Sequence, residues 1–349
     1  MCKKLLSILL CVAVIASILS SCGKNGNEPK TQSKSYYEYF DTVSVIFSYK
    51  GDSAEEFSAN CNAVADLLGD YHRLFDIYYE YSGINNVRTI NKNAGKSPVE
   101  VDERLIDFLL YCKEAYTLTG GRTNVAMGAV LKLWHDCREE AEYNPQSARI
   151  PSADELTAAS KHCDINNLVI DKEAGTVYIS DPYMSLDVGA VGKGYATERA
   201  ADLLKSLGVG SYVLNIGGNI RAIGTMANGE AWTVGITHPD KKSDEQFIKR
   251  VTIKDTSLVT SGSYERYYTV EGVDYHHVID PATLMPAKYF TSVSVFTDDS
   301  GLADVLSTAL FCMPYDEGLA LVESLGNVEV IWVDGEYNVK MTDGVPIAE

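Results

Sequence analysis

The sequence predicts an α+β protein with a largely antiparallel sheet core and flanking helices, formed as one domain over residues 36–349. Three observations predict it. Helical periodicity dominates the first third of the chain. Short strand-like runs bounded by turn residues dominate after Leu168, and no segment repeats at a fixed period.

Taken in order, Asp41–Tyr49 reads as a strand. The stretch from Ser53 to about Tyr79 reads as a long helix, with Phe57, Cys61, Val64, Leu67, Leu68, Tyr71 and Phe75 on helical spacing. Val101–Thr117 reads as a second helix, with Leu105, Phe108, Leu109 and Cys112 on one face, and Gly120-Gly121 stops it. Strands are then expected at Leu168–Asp171, Thr176–Ser180, Tyr212–Asn215, Trp232–Ile236 and Val251–Lys254. Further strands are expected at Tyr268–Glu271, Ser292–Phe296 and Val328–Val333. Two helices should interrupt them, near Tyr195–Leu207 and Ser300–Phe311.

The N-terminus has a separate logic. Lys3-Lys4 precede an almost wholly apolar run from Leu5 to Leu19, and Leu19-Ser20-Ser21-Cys22 has the order of a lipobox. Residues 1–21 are therefore expected to be a lipoprotein signal peptide, and Cys22 the acylated anchor. The apolar run falls short of the ~20 residues that span a bilayer, whereas acyl chains anchor at about 0.8 kcal/mol per buried CH₂. Residues 22–35 carry no large apolar side chain and are expected to be a flexible tether.

Formal net charge is −18, and loss of Lys3 and Lys4 with the signal would make it −20. Nucleic acid and anionic lipid are thus poor partners. A phosphorylated ligand would need a metal ion or a few placed cations. Cys61, Cys112, Cys137, Cys163 and Cys312 lack CxxC spacing, which excludes a zinc ribbon or thioredoxin motif, and the first two and Cys312 are expected as buried free thiols.

Four segments concentrate the chemistry. In Ser185-Leu-Asp-Val-Gly-Ala-Val-Gly-Lys-Gly-Tyr-Ala196, glycines and Lys193 stand just ahead of a helix start, an arrangement that suits either an anion or a tight structural turn. It is no P-loop, because Asp187 stands where the first Gly is needed and Gly194 follows the Lys. In Asn215-Ile-Gly-Gly-Asn-Ile220 a glycine pair interrupts an apolar strand, which suits close approach by a ligand or by another element. Thr260-Ser-Gly-Ser-Tyr-Glu-Arg266 with His276-His277-Val-Ile-Asp280 brings hydroxyls, imidazoles and a carboxylate to strand ends, and His277 suits either proton transfer or a structural place. In Asp298-Asp-Ser-Gly-Leu-Ala-Asp-Val-Leu-Ser-Thr308, Ser300 can cap a helix that puts Asp304 and Thr308 on one face. That pair offers two oxygen ligands for a hard cation, or a solvated helix start in which Thr308 bonds back to a carbonyl.

Joined in order from Phe40 to Val333, these motifs resemble the ApbE-like FAD:protein FMN transferases, which are often periplasmic lipoproteins. The resemblance implies a single ApbE-like catalytic domain, exported and held by a lipid anchor on the periplasmic side of a bacterial membrane. It implies Mg²⁺ on Asp304, Thr308 and the carbonyl of Ala190. FAD, the substrate, would be contacted by Asp187, Lys193 and Ile279, with Tyr78 on a ring and His277 beside the reacting phosphate. His277, Lys193 and Asp304 would form the catalytic group. Phe40 occupies the place of the Met in the family's Met-Gly-Thr, with Thr42 retained, and Arg122-Thr123-Asn124 occupies the family's Gly-Ala-Phe-Asp loop at the cofactor. Asn124 thus replaces an Asp, and Asp280–Pro286 lacks the Gly usual after Thr283, departures that bear on transfer rate and acceptor choice. Implied acceptors are flavoproteins of the sodium-pumping NADH:quinone oxidoreductase and Rnf type. A metal-dependent FAD pyrophosphatase and a non-enzymatic FAD carrier remain alternatives.

Overall fold

The computed structural model describes residues 31–49 and 52–348, so the expected signal peptide and lipidation site at Cys22 lie outside the described residues. The first strands are β1 (Gln32–Tyr36) and β2 (Ser44–Ser48), followed by helices α1 (Ala54–Phe75) and α2 (Val87–Lys92). Next come β3 (Val99–Glu100), α3 (Glu103–Leu118), α4 (Gly128–Tyr143), α5 (Ala153–Ser160), β4 (Leu168–Asp171) and β5 (Thr176–Ile179). Helix α6 (Gly192–Ser206) leads into β6 (Ser211–Ile216), β7 (Asn219–Gly224), β8 (Trp232–Thr237), β9 (Phe247–Ile253) and β10 (Ser257–Gly262). The hairpin β11 (Tyr267–Val270) and β12 (Val273–His276) precedes β13 (Ser292–Thr297), α7 (Ser300–Phe311), α8 (Tyr315–Leu325), β14 (Glu329–Val333) and β15 (Val339–Met341).

Eight strands form the central sheet in the order β1-β2-β6-β7-β10-β13-β14-β15, antiparallel throughout. Successive side chains leave a strand on opposite faces, and this sheet uses both. Ile46, Leu214, Val293, Val295, Val330 and Trp332 point to the helical side, into two clusters that also hold residues of α1, α3, α6, α7 and α8. Val45, Phe47, Val213, Ile331 and Val333 point the other way, onto Trp232, Val234 and Ile236 of β8 and Val251 and Ile253 of β9. The α+β expectation with antiparallel sheet and flanking helices therefore holds.

Several boundaries are corrected. The tether expected to run to Ser35 overlaps β1, whose Gln32–Tyr36 pair with Ser48–Ser44 of β2. Backbone pairing needs no apolar side chain, and alternate residues of this edge strand face solvent, so composition hides it. Tyr36 fastens it, its hydroxyl donating to Cys61 O at 2.9 Å. Helix α6 begins at Gly192 rather than near Tyr195, which puts Lys193 and Gly194 in its first turn. The cap of α7 is Asp299, whose carboxylate accepts from Leu302 N, and Ser300 is the first helical residue. Gly217-Gly218 is a two-residue hairpin turn between β6 and β7, not a strand interior; both glycines have positive φ, as such a turn demands. Helices α2, α4, α5 and α8 have no counterpart in the sequence reading. Cys61, Cys112 and Cys312 are buried free thiols, as expected.

Candidate functional site

The first turn of a helix leaves backbone N–H groups without partners, and α6 has no side-chain cap of its own. Asp304 of α7 fills that role from outside, its Oδ2 accepting from Gly194 N at 2.7 Å. The reverse contact lies further along: Glu198 of α6 accepts from Ser300 N, at the start of α7, at 2.8 Å. Each helix thus caps the other, and higher numbers on α6 meet lower numbers on α7. Gly194 is needed because a Cβ there would lie 2.4 Å from Asp304 Cβ and from Ser300 O. Glu198 is held in turn by Arg221, at 2.9 and 3.1 Å.

This brace fixes the expected catalytic pair. Asp304 is 4% exposed. With Oδ2 engaged by Gly194, Oδ1 faces the Lys193 ammonium at 3.9 Å. Lys193 also donates to Asn219 Oδ1 at 3.3 Å, on the strand that leaves the glycine hairpin. Thr308 lies half-buried one turn beyond Asp304. Ser307 donates to Asp304 O and meets Ser261 of β10 at 2.8 Å, so the Thr-Ser-Gly-Ser segment packs beneath the same helix. Thr42 closes the floor: a Cβ at Gly217 would lie 2.5 Å from its Cγ2.

No group of three or more His, Cys, Asp or Glu side chains that could hold a metal occurs among the described residues. The donors at hand are one carboxylate oxygen, one hydroxyl and backbone carbonyls, a hard-oxygen set that suits a cation completing its shell with water and phosphate. Ala190 is half-buried two residues before α6.

A second group gathers around α4. Tyr78 stacks on His135 with ring centroids 5.6 Å apart, and the two are linked by a 3.2 Å hydrogen bond. Tyr78 is half exposed, and burial of its hydroxyl end together with Asp187 pushes its pKa up to about 12. Asp187 accepts from Gly189 N at 3.0 Å, and burial holds its carboxyl above the usual range. His277 approaches Arg266 O at 3.2 Å through Nδ1. Crowding by protein, then the Arg266 charge, moves it below the usual imidazole range, an effect that the part of its ring open to solvent moderates. Arg138, one turn after His135, acts electrostatically on Tyr78, Asp187 and His277 alike. Its guanidinium makes no hydrogen bond or ion pair among the described residues.

Other expected ligand residues are engaged internally. Arg122 bonds buried Asp280 and Cys312 O, both at 3.1 Å. Thr123 is buried and donates to Val305 O at 2.8 Å. Asn124 caps a 3-10 turn by accepting from Ala126 N, which an Asp could also do, and its Nδ2–H donates to Cys163 O, which an ionised Asp could not. Ile279 packs its side chain in a cluster with Trp134 and Tyr268. Phe40 has positive φ, donates its N–H to His72 Nδ1 at 3.2 Å and sits edge-on to that ring. A cavity of about 410 Å³ lies between α3, α6 and the start of α7, and none of the expected site residues lines it.

His135, Arg138 and Asn219 are the additions that the sequence reading lacked. The period of Val130, Trp134, Cys137 and Ala141, all buried, was the signal available for the first two.

Fold and site together define an α+β protein in which two mutually capped helices hold a lysine beside a buried aspartate, next to a glycine hairpin. The chain belongs to the ApbE family, whose model matches residues 41–332. A Treponema pallidum protein named FAD:protein FMN transferase is 30% identical, covering 96% of this chain and 93% of that protein. One of the same name from Klebsiella pneumoniae is 29% identical over 75% and 81%. The crystal structure of the ApbE protein of Thermotoga maritima aligns with a TM-score of 0.78 at 26% identity, covering 90% of this chain and 97% of that one. The flavin transferase ApbE of Vibrio cholerae shares the fold, with a TM-score of 0.74 at 23% identity over 90% and 96%.

Proposed function

We propose that this protein is a metal-dependent FAD:protein FMN transferase that moves FMN from FAD onto a Ser or Thr hydroxyl of a partner flavoprotein and releases AMP. The observation that carries the reading is the Lys193–Asp304 pair, fixed by Gly194 at the start of α6. The names of the relatives support the flavin transfer.

In the reaction, the acceptor oxygen bonds to the phosphorus on the FMN side of the pyrophosphate. The bond from that phosphorus to the bridging oxygen breaks, and AMP leaves with the bond's electrons. The hydroxyl proton passes to a base. His277 is neutral around pH 7, its pKa lying below the usual imidazole value, and so has a ring lone pair with which to accept it. Lys193 neutralises charge on phosphate oxygens, aided by the helix start beneath it. A hard divalent cation such as Mg²⁺, held by Asp304, Thr308 and the carbonyl of Ala190, supplies further charge neutralisation when bound. Asp187 and Tyr78 line the flavin or adenine end, with Phe40 beyond.

The resemblance further supports acceptors of the sodium-pumping NADH:quinone oxidoreductase and Rnf type, and a lipid anchor at Cys22 on the periplasmic side. Incubating the protein with FAD and Mg²⁺, with and without acceptor, tests the reading. AMP released only with acceptor is expected. AMP and free FMN without acceptor would mean a pyrophosphatase, and no AMP in either case a carrier.

A further inference from the structure

Asn219 occupies a place in the site that neither the sequence motifs nor the expected ligand set explain. It is the first residue after the glycine hairpin and is 2% exposed. Its Oδ1 accepts from the Lys193 ammonium at 3.3 Å, yet its Nδ2 has no hydrogen-bond partner. The ammonium settles which end of the amide is which: reversing the amide would set two donors against each other. A buried donor left unpaired destabilises the fold that holds it. A ligand acceptor would remove that cost.

The surroundings narrow the acceptor's chemistry. Asp304 Oδ1 lies 3.9 Å from the same ammonium and makes no hydrogen bond to the amide. Lys193 is 28% exposed, the outermost of the three groups, so an anion that draws its ammonium outward also reaches the amide beneath. The amide and the lysine offer donors side by side, which suits two oxygens on one phosphorus.

We propose that Asn219 is a binding residue for the phosphate portion of FAD, its Nδ2–H donating to a phosphate oxygen while Lys193 neutralises the same group. This rests on the transferase reading above. Asn219 therefore stabilises the liganded protein more than the free one.

The test is FAD titration calorimetry with thermal unfolding of the ligand-free protein, for wild type, Asn219→Ala and Asn219→Asp. Asn219→Ala is expected to raise the FAD Kd about tenfold or more while leaving the ligand-free Tm close to wild type, since removal of the unpaired donor offsets loss of the Lys193–Oδ1 bond. Asn219→Asp keeps the shape and guards against failure of the Ala variant to fold. It replaces the donor with a carboxylate that repels phosphate, so its FAD Kd should rise further. A structural asparagine predicts the opposite pattern, with lower Tm and unchanged Kd. That result, or unchanged Kd in both variants beside wild-type binding, overturns the proposal. Wild type that binds no FAD overturns the transferase reading itself, and with it this role.

Discussion

The two halves of the site are built differently. Around α6 and α7 the carboxylates are buried and closely bonded: Asp304 by the backbone N–H of Gly194, Glu198 by the Arg221 guanidinium and the backbone N–H of Ser300. Around α4 the functional groups are half-exposed rings and a guanidinium without a partner among the described residues: Tyr78 on His135, with Arg138 and His277 nearby. Buried charge demands fixed partners, whereas exposed rings can reorient at little cost. Under the proposed function this difference divides the work: charge development at phosphorus would fall to the rigid half, and accommodation of the flavin or adenine to the open half.

Changes in the rigid half should therefore cost most. Asp304→Asn keeps an oxygen for Gly194 N but removes the charge that faces Lys193 and a cation. Flavinylation should fall about a hundredfold or more, with the metal midpoint moved up, since each ~1.36 kcal/mol is tenfold in rate. AMP release against metal concentration checks it. A pure capping role would instead lower stability by ~1 kcal/mol and leave the metal dependence alone.

Lys193→Ala comes next. FAD affinity should drop about tenfold to a hundredfold by calorimetry, while the ligand-free Tm stays near wild type, because the lysine is partly exposed and bonds only to side chains. A large fall in Tm would move Lys193 from ligand binding to structure.

Across the open half the effects should be smaller and pH-dependent. His277 must be neutral to accept a proton, and its pKa lies below the usual imidazole value. Transfer should thus stay level through neutral pH and decline only as acidity passes that lowered pKa. His277→Gln should slow transfer and abolish this acid limb of the kcat profile; a limb that survives would place the base elsewhere. The smallest change belongs to Tyr78→Ala, a loss of about tenfold or less in FAD affinity with kcat nearly kept, the worth of one stacked ring. If kcat fell with it, the division between halves would fail.

The rigid half was the more legible from sequence. Glycines, Lys193 and Asp304 sit in short motifs whose chemistry follows from residue type and local spacing. The open half was legible only in part, because it depends on α4. That helix starts at Gly128 without a capping side chain, so the usual start signal is missing, although its buried period is regular. Asn219 was hidden for another reason: it meets Lys193 across 26 residues of chain, a pairing that strand register creates and no local pattern encodes. Arg122 and Thr123 were read as ligand contacts by position in a loop, whereas partners more than 150 residues away, Asp280 and Val305, take their side chains.

The reciprocal caps between α6 and α7 also limit how this site can move. Sliding one helix along the other by a single turn, ~5.4 Å, would break both brackets together and drive Gly194 into a side chain. Screw-like or ratcheting transitions of the kind seen at some subunit interfaces are thereby closed to this pair. Access must be governed by segments hinged outside it, and the amide protons of Gly194 and Ser300 should be among the last in the protein to exchange with deuterated solvent.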